Sequence, residues 1–174
     1  TPMQVFLPYL ASGMIMWAMI AGILNDGTLT FIAAEGMVKQ LPLPKIVYII
    51  RVVWRNLIIA GHNIVIFPLV VLIVGGETSW AILFWPLGVL LTVTALSGLA
   101  LFFAIVATRY RDIPPIVNAA LTVAFYITPV IWIKESLGNN ELVNTLVSLN
   151  PLYHLLQVAR LPLIGQMPSV DNWI

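Results

Sequence analysis

Long apolar stretches and short polar breaks alternate along the chain. Four stretches carry few or no charged residues, and each is long enough for a membrane-spanning helix, which needs about 20 apolar residues. The pattern predicts an all-α integral membrane protein, a polytopic helical bundle that forms a single transmembrane domain over residues 1–174. The predicted crossings are residues 6–24, 46–74, 81–108 and 113–133.

Turn-forming residues separate these crossings. Asn25-Asp26-Gly27 predicts the end of the first crossing, and Gly75-Gly76 predicts the end of the second. Pro114 and Pro115 suit the first turn of the fourth crossing, because the first N–H groups of a helix have no intrahelical partner.

The loop at residues 27–45 has a pattern of its own. Thr28 to Val38 predicts a short helix, and Glu35 and Lys39 have the spacing of an i,i+4 ion pair. Leu41-Pro42-Leu43-Pro44 ends it, because the residue before a proline is steered out of the helical region. A projecting helix of this kind suits docking to a soluble partner. A plain interfacial helix that tethers two crossings is the alternative.

Basic residues concentrate on one side of the predicted bundle, where Lys and Arg mark the cytoplasm. That side holds six of the eight, and only Lys134 and Arg160 fall on the other. The chain then starts outside, which predicts an internal segment of a longer protein. The six are Lys39, Lys45, Arg51, Arg55, Arg109 and Arg111.

The segment after Lys134 differs from the crossings. It is polar and amphipathic at first, and then a mostly apolar run from Asn150 to Ile164 is broken by Pro162. That run is too short to cross as a straight helix, so residues 135–164 predict a re-entrant or interfacial hairpin. The backbone of such a hairpin must be covered by protein or line a wet cavity.

Polar residues inside the crossings avoid lipid, because an unpaired polar group in hydrocarbon costs several kcal/mol. We expect them to face the bundle interior, a water-filled route or a second copy of the chain. Ordinary interhelical hydrogen bonds, worth about 0.6 kcal/mol each, are the alternative. The sets are Arg55, His62 and Asn63 on the second crossing, Thr92, Thr94 and Ser97 on the third, and Asn118, Thr122 and Tyr126 on the fourth.

Composition excludes several classes of function. Hydrophobic residues make up 60% of the chain and charged residues 9%, which a soluble domain does not tolerate. A net charge of +1 argues against nucleic acid as a partner. The chain has no cysteine, and its two histidines do not form a metal-binding HExxH pattern.

Enzymatic chemistry has weak support. His62 and Ser97 are the residue types of a minimal activated nucleophile, but no acidic residue stands nearby to orient the histidine. A buried or interface histidine is the preferred interpretation. No GxxxxGK[ST] phosphate-binding loop is present, so nucleotide hydrolysis would belong to another chain.

Four segments resemble the permease subunit of type-2 ABC exporters. Residues 27–44 resemble its coupling region, 109–113 its Arg-aromatic-Arg-Asp turn, and 125–131 the end of its fifth helix. Residues 149–165, LNPLYHLLQVARLPLIG, closely resemble the segment before its last helix. This last pattern is typical of the branch that exports lipid-linked polysaccharide such as O-antigen, capsule or teichoic acid.

The resemblance implies a transport subunit rather than an enzyme. It implies a homodimer in the bacterial inner membrane with two ATPase subunits below it, which hold the ATP and Mg, while this chain binds no cofactor. The cargo would be a lipid-linked glycan, as in lipopolysaccharide export. The four crossings would be the second to fifth of six. An exporter of small drugs or other lipids on the same scaffold is the alternative, and an intramembrane enzyme is the more distant one.

The resemblance also implies four sets of site residues. The translocation-route set includes the aromatic residues Phe125 and Tyr126, because aromatic rings can stack on sugars. Helix packing and the interfacial aromatic belt are the alternative explanations for these rings. The sets are Thr28, Phe31, Ile32, Glu35 and Lys39 for ATPase coupling; Arg109, Arg111 and Asp112 for a second cytoplasmic contact or the lipid pyrophosphate; Asn118, Thr122, Phe125 and Tyr126 for the translocation route; and Asn150, Pro151, Tyr153, His154 and Arg160 for a periplasmic gate.

Overall fold

A computed structural model of the chain describes residues 3–40, 43–74, 79–133 and 141–166. Within these ranges the regular structure is entirely helical. The helices are α1 (Met3–Ala33), α2 (Glu35–Gln40), α3 (Lys45–Asn63), α4 (Ile66–Val74), a 3-10 helix (Trp80–Phe84), α5 (Trp85–Arg109), α6 (Ile113–Ile127), α7 (Glu141–Ser148) and α8 (Pro151–Arg160).

Three helical segments are long and apolar enough to cross a membrane: Met3–Ala33, Lys45–Val74 and Trp80–Arg109. The apolar helix α6 is shorter. These elements overlap the four predicted crossings but differ from them in their ends, and the predicted all-α fold is confirmed.

The predicted helix end at Asn25-Asp26-Gly27 is wrong, because α1 continues to Ala33. The Asp26 carboxylate does not cap a turn but accepts hydrogen bonds from α3. Gly27 lies where α1 meets α5, so close that a Cβ there would collide with Ala100. The predicted single helix over 28–38 is therefore divided between the last turns of α1 and the short α2.

The second apolar segment is broken within the predicted crossing, at residues 64–65 between α3 and α4. Pro68 is the cause, since it has no N–H to donate to Ile64 and its ring would clash with that carbonyl. The Ile64 carbonyl accepts instead from the N–H of Phe67 at 3.0 Å. The predicted end of this crossing at residues 75–76 lies outside the described residues.

Helix α6 ends at Ile127, earlier than the predicted limit of its crossing at residue 133. Thr128 precedes a proline and is extended, with φ −76° and ψ 135°. Fifteen helical residues rise about 22 Å, less than the 30 Å or so of a hydrocarbon core. Residues 128–130 continue as buried irregular backbone.

Helix α1 is the centre of the bundle and packs against α3, α5, α6 and α8. Met16, Ile20 and Ile23 of α1 are fully buried, as are Leu96 and Ala100 of α5. In contrast, most apolar side chains of α3 and α4 face outward. Such a surface is expected of helices that face lipid or another subunit.

Candidate coupling surface and gate

The short helix α2 presents an ion-paired charge cluster at one end of the bundle. The Lys39 Nζ lies 2.7 Å from the Glu35 carboxylate, which confirms the predicted i,i+4 pair. The Arg111 guanidinium approaches the same carboxylate at 4.0 Å. All three side chains are more than half exposed. The loop at 27–45 and the turn at 109–112 therefore lie at the same end of the bundle.

Glu35 stays ionised at neutral pH. Its hydrogen bond from Lys39, together with the charges of Lys39 and Arg111, lowers the pKa of the Glu35 carboxyl below its ordinary value of 4.5. Because the pKa is lowered on folding, the stabilisation from these contacts is complete above the ordinary value. It is lost as the pH falls through the lowered pKa.

The other predicted coupling residues are covered to different extents. Thr28 is fully buried within α1, and its hydroxyl donates to the Asn25 carbonyl at 2.7 Å. Phe31 is buried and packs edge-on against Tyr48 of α3, with ring centroids 6.2 Å apart. Ile32 is half-buried. Only Glu35 and Lys39 of this set are presented outward on α2, so Thr28 and Phe31 are placed to position the surface rather than to form it.

The turn between α5 and α6 is also exposed. Arg109 is the last residue of α5, and Asp112 stands at the N-terminus of α6 without capping it through its side chain. Arg111 alone of the three predicted residues is brought to α2, by its approach to Glu35.

A polar cluster between α1 and α3 escaped the sequence interpretation. The Asp26 carboxylate accepts from the Arg55 guanidinium at 2.7 Å and from the Asn56 amide at 2.8 Å. Asn56 is buried, and Gly22 provides the space for its side chain. The turn-like sequence at 25–27 concealed the role of Asp26, and the polar face of α3 at 55–56 was the only available signal.

The predicted route residues share the outer face of α6. Asn118, Thr122 and Tyr126 are exposed at successive helical turns, and the Thr122 hydroxyl donates to the Asn118 carbonyl at 2.9 Å. Phe125 is half-buried and contacts Trp17 of α1, with ring centroids 5.8 Å apart. The structure therefore brings three of the four predicted residues onto one surface and places Phe125 in the packing behind it.

The second helix of the predicted hairpin, α8, is packed into the bundle. Asn150 caps it by accepting from the Leu152 N–H at 3.0 Å, and Pro151 occupies the first turn. The Asn150 amide also donates to the Thr128 hydroxyl at 2.8 Å. Tyr153 and His154 are half-buried. The predicted start of the hairpin, residues 135–140, lies outside the described residues.

Further along its length, α8 packs closely against α5. The Thr92 hydroxyl donates to the Leu155 carbonyl at 3.2 Å, and a Cβ at Gly88 would collide with the Val158 carbonyl. Residues 156–160 are buried. Protein therefore covers the C-terminal half of α8.

Arg160 is the largest fully buried side chain among the described residues. Its guanidinium donates to the Pro129 carbonyl, to the Tyr9 hydroxyl and to the Gln157 side chain, each at 2.9 Å. It also lies 3.9 Å from the centroid of the Tyr9 ring, a cation–π distance. The Tyr9 hydroxyl donates to the same Pro129 carbonyl at 3.0 Å. Arg160 thus connects α8, α1 and the broken end of α6.

The end of α6 explains why hydrogen-bond donors gather around Arg160. Where α6 stops, its last carbonyls lack helical partners and its C-terminus carries partial negative charge. In the last turn the Trp132 indole donates to the Tyr126 carbonyl at 3.1 Å, and just beyond the helix the Arg160 guanidinium and the Tyr9 hydroxyl donate to the Pro129 carbonyl. In a membrane protein, irregular backbone is tolerated only where such partners exist.

The charge cluster and α8 lie toward opposite ends of α5. Gly88 and Thr92 contact α8, whereas Ile105 and Thr108 border the α2 region. The rise from residue 88 to residue 105 in an α-helix is about 25 Å. One end of the bundle therefore carries an exposed charged surface, and the other holds a buried hairpin helix.

Two other candidate chemistries receive no geometric support. His62 Nδ1 lies 2.9 Å from the Ile58 carbonyl and the Ser97 hydroxyl donates to the Val93 carbonyl at 2.6 Å, so each is bonded within its own helix. Among the described residues, no three His, Asp or Glu side chains gather where they could hold a metal ion.

Comparison with known proteins gives two findings. The model of the family described as ABC-2 type transporter matches residues 2–163. The chain is also similar to the O-antigen export system permease protein RfbA of Myxococcus xanthus, with 22% identity over 144 residues. This alignment covers 83% of the chain and 55% of RfbA, so the chain spans about half the length of that relative. The family match extends over most of the chain and all but the last few described residues, and the chain therefore belongs to the ABC-2 type transporter family.

Proposed function

We propose that the chain is the membrane-spanning subunit of an ATP-driven exporter that moves lipid-linked polysaccharide across the bacterial inner membrane. The observation that carries this proposal is the similarity to an O-antigen export permease over 83% of the chain. The location of the charged α2 surface and the α8 hairpin toward opposite ends of α5 supports it, since an exporter needs an energy-receiving end and an exit.

The energy-receiving end is α2 and its neighbours. ATP hydrolysis takes place on two partner subunits, which hold ATP and Mg, and their movement is transmitted through Glu35 and Lys39. Thr28, Phe31 and Ile32 fix the direction of α2 against α1 and α3. Asp26 holds α1 to α3 through Arg55 and Asn56, so that a displacement of α2 moves both helices.

The translocation route lies at the outer face of α6 between two copies of the chain. Asn118, Thr122 and Tyr126 are polar and exposed within an apolar helix. Hydrocarbon lipid is an unfavourable neighbour for such groups, which favours a wet route or the second copy. Arg109, Arg111 and Asp112 receive the lipid pyrophosphate at the cytoplasmic end, since the guanidinium fork suits phosphate oxygens. Asn150, Pro151, Tyr153, His154 and Arg160 belong to the gate at the far end.

Exchange of the two α2 charges tests the coupling role. The Glu35→Lys/Lys39→Glu double variant keeps an intrahelical ion pair but inverts the charge pattern that a partner meets. We expect export in the full complex to fall at least tenfold per ATP hydrolysed, with normal membrane insertion. Glycan appearing on the outer surface and phosphate release are measured together.

The matched control is Arg51→Glu, a charge reversal at another exposed basic residue outside α2. It should leave the ratio of export to hydrolysis unchanged. An unaltered ratio in the α2 double variant contradicts coupling through this helix. Export of small dyes without any glycan would replace the polysaccharide assignment with the alternative cargo class.

A further inference from the structure

A cleft of about 240 Å³ opens beside α2, between the end of α1, the start of α3 and the end of α5. Its lining is partly apolar and includes Phe31, Ile32 and Ile105. Charged side chains stand at its edge. The full lining is Phe31, Ile32, Glu35, Val38, Lys39, Lys45, Ile105, Thr108 and Arg111.

The charge of the cleft favours an anion. Lys39, Lys45 and Arg111 contribute three positive charges and Glu35 one negative charge. Glu35 is already paired with Lys39 and approached by Arg111. Lys45 has no ion-pair partner among the described residues, and it is exposed at the first turn of α3. An incoming phosphate would thus meet Lys45, which has no ion-pair partner among the described residues, and Arg111, whose ion pair with Glu35 is long at 4.0 Å.

The position of the cleft relative to the apolar spans favours a lipid as its ligand. Three apolar spans begin or end around it, at Ala33, Lys45 and Arg109. Because helices of about 30 residues are longer than a hydrocarbon core of about 30 Å, the cleft lies at the end of the bundle where these spans leave the hydrocarbon, on the side of the lipid headgroups. A lining that combines apolar side chains with cations matches an amphiphile that has an anionic head and a hydrocarbon chain.

We propose that this cleft binds the phosphate headgroup of a membrane lipid, with Lys45 and Arg111 as its principal ligands and Phe31, Ile32 and Ile105 against the first part of the chain. The assignment to the inner leaflet rests on the proposed function. Two lipids carry this chemistry, an acidic phospholipid and the polyprenyl phosphate of a glycan carrier. Occupation of the cleft would also hold α2 against the α5–α6 turn.

Lipid binding to the full-length permease, purified without ATPase or glycan, tests this proposal. Retention of phosphatidylglycerol and of undecaprenyl phosphate is measured separately by native mass spectrometry, with phosphatidylcholine as the zwitterionic reference. We expect Lys45→Gln/Arg111→Gln to bind the phosphate lipid about a hundredfold more weakly, since two charge-assisted contacts are lost and each has an effect of about tenfold. The lipid that shows the loss identifies the source of the headgroup.

Two further variants keep the test decisive. Arg51→Gln removes an equivalent exposed charge outside the cleft and should bind as the parent protein does. Ile105→Trp adds bulk to the apolar lining while keeping every charge, and it should also weaken binding. Equal binding by all variants overturns the proposal. So does a photocrosslinker at Thr108 that captures only the ATPase, never lipid, in the complete transporter. The binding measurement does not involve export. A negative result therefore rejects the lipid site without rejecting the proposed function, and a loss of the proposed function would not by itself reject the site.

Discussion

Arg160 illustrates how much depends on single side chains in this bundle. Its three hydrogen bonds reach residues 3, 31 and 151 positions away in the chain. Burial of a cation without such partners would be strongly unfavourable. Arg160 can therefore be buried only because it bonds to Tyr9, Pro129 and Gln157. Arg160 in turn supplies donors where Pro129 has interrupted α6. The side chain is best described as a bridge between α8 and the rest of the bundle.

Replacement of Arg160 by Lys should therefore destabilise the protein although the charge is kept. An ammonium cannot reproduce the planar fork that reaches Pro129, Tyr9 and Gln157 together. We expect a loss of about 2 kcal/mol, in the range of hydrogen bonds to charged groups. Thermal unfolding of the purified full-length protein measures it, with Arg51→Lys as the exposed control. Equal melting temperatures for the two variants would contradict the bridging role.

At the level of elements, small residues set how closely the helices approach. Glycines at 13, 22 and 27 on α1 and at 88 on α5 each lie where a Cβ would collide with a neighbouring element. Helices in membranes associate through close backbone approach of this kind, because the hydrophobic effect does not drive helices together in lipid. Gly88 is the contact that sets α8 against α5.

Gly88→Val should push α8 away from α5. The added side chain meets the Val158 backbone, which cannot move aside as a flexible side chain does. We expect destabilisation of about 2 kcal/mol from overpacking, and increased labelling of a cysteine introduced at the buried Ala159. Gly98→Val lies on the same helix with open space around it, so it should change stability by less than about 0.5 kcal/mol. Similar effects at both glycines would rule out the close contact as the cause.

For the molecule as a whole, the two ends of α5 separate two kinds of surface. Glu35 and Arg111 meet at one end, and Gly165 lies close to Ser79 at the other. Basic residues lie mostly at the first end, which predicts that it is cytoplasmic. Energy input and cargo exit would then lie on opposite faces of the membrane.

Single cysteines test this orientation directly, because the chain has none of its own. Lys39→Cys and Tyr110→Cys are exposed but should be protected from a membrane-impermeant thiol reagent added outside intact cells. Trp80→Cys, at a side chain that is 85% exposed near the other end of α5, should react. Permeabilised cells give the control, in which all three should be labelled. Reaction at position 39 from outside would reverse the orientation.

The sequence by itself determined the features that depend on local spacing and on apolar length. The positions of the apolar segments, the Glu35–Lys39 pair and the Asn150–Pro151 start of α8 follow from residues within a few positions of each other. Bilayer thickness and helix geometry turn such patterns directly into elements. The bundle architecture was therefore predictable.

Only the tertiary structure decided what the polar residues at helix breaks do. Asp26 looks like part of a turn until Arg55 and Asn56 meet it from α3, and α1 then continues through the glycine that follows. In the sequence Arg160 is only a basic residue on the far side of the bundle, but it is buried because Tyr9 and Pro129, which are distant in the sequence, join Gln157 of its own helix as partners. A polar side chain can be buried only where its hydrogen bonds are made. For these residues the partners are distant in the sequence, so only the folded chain shows where that place is.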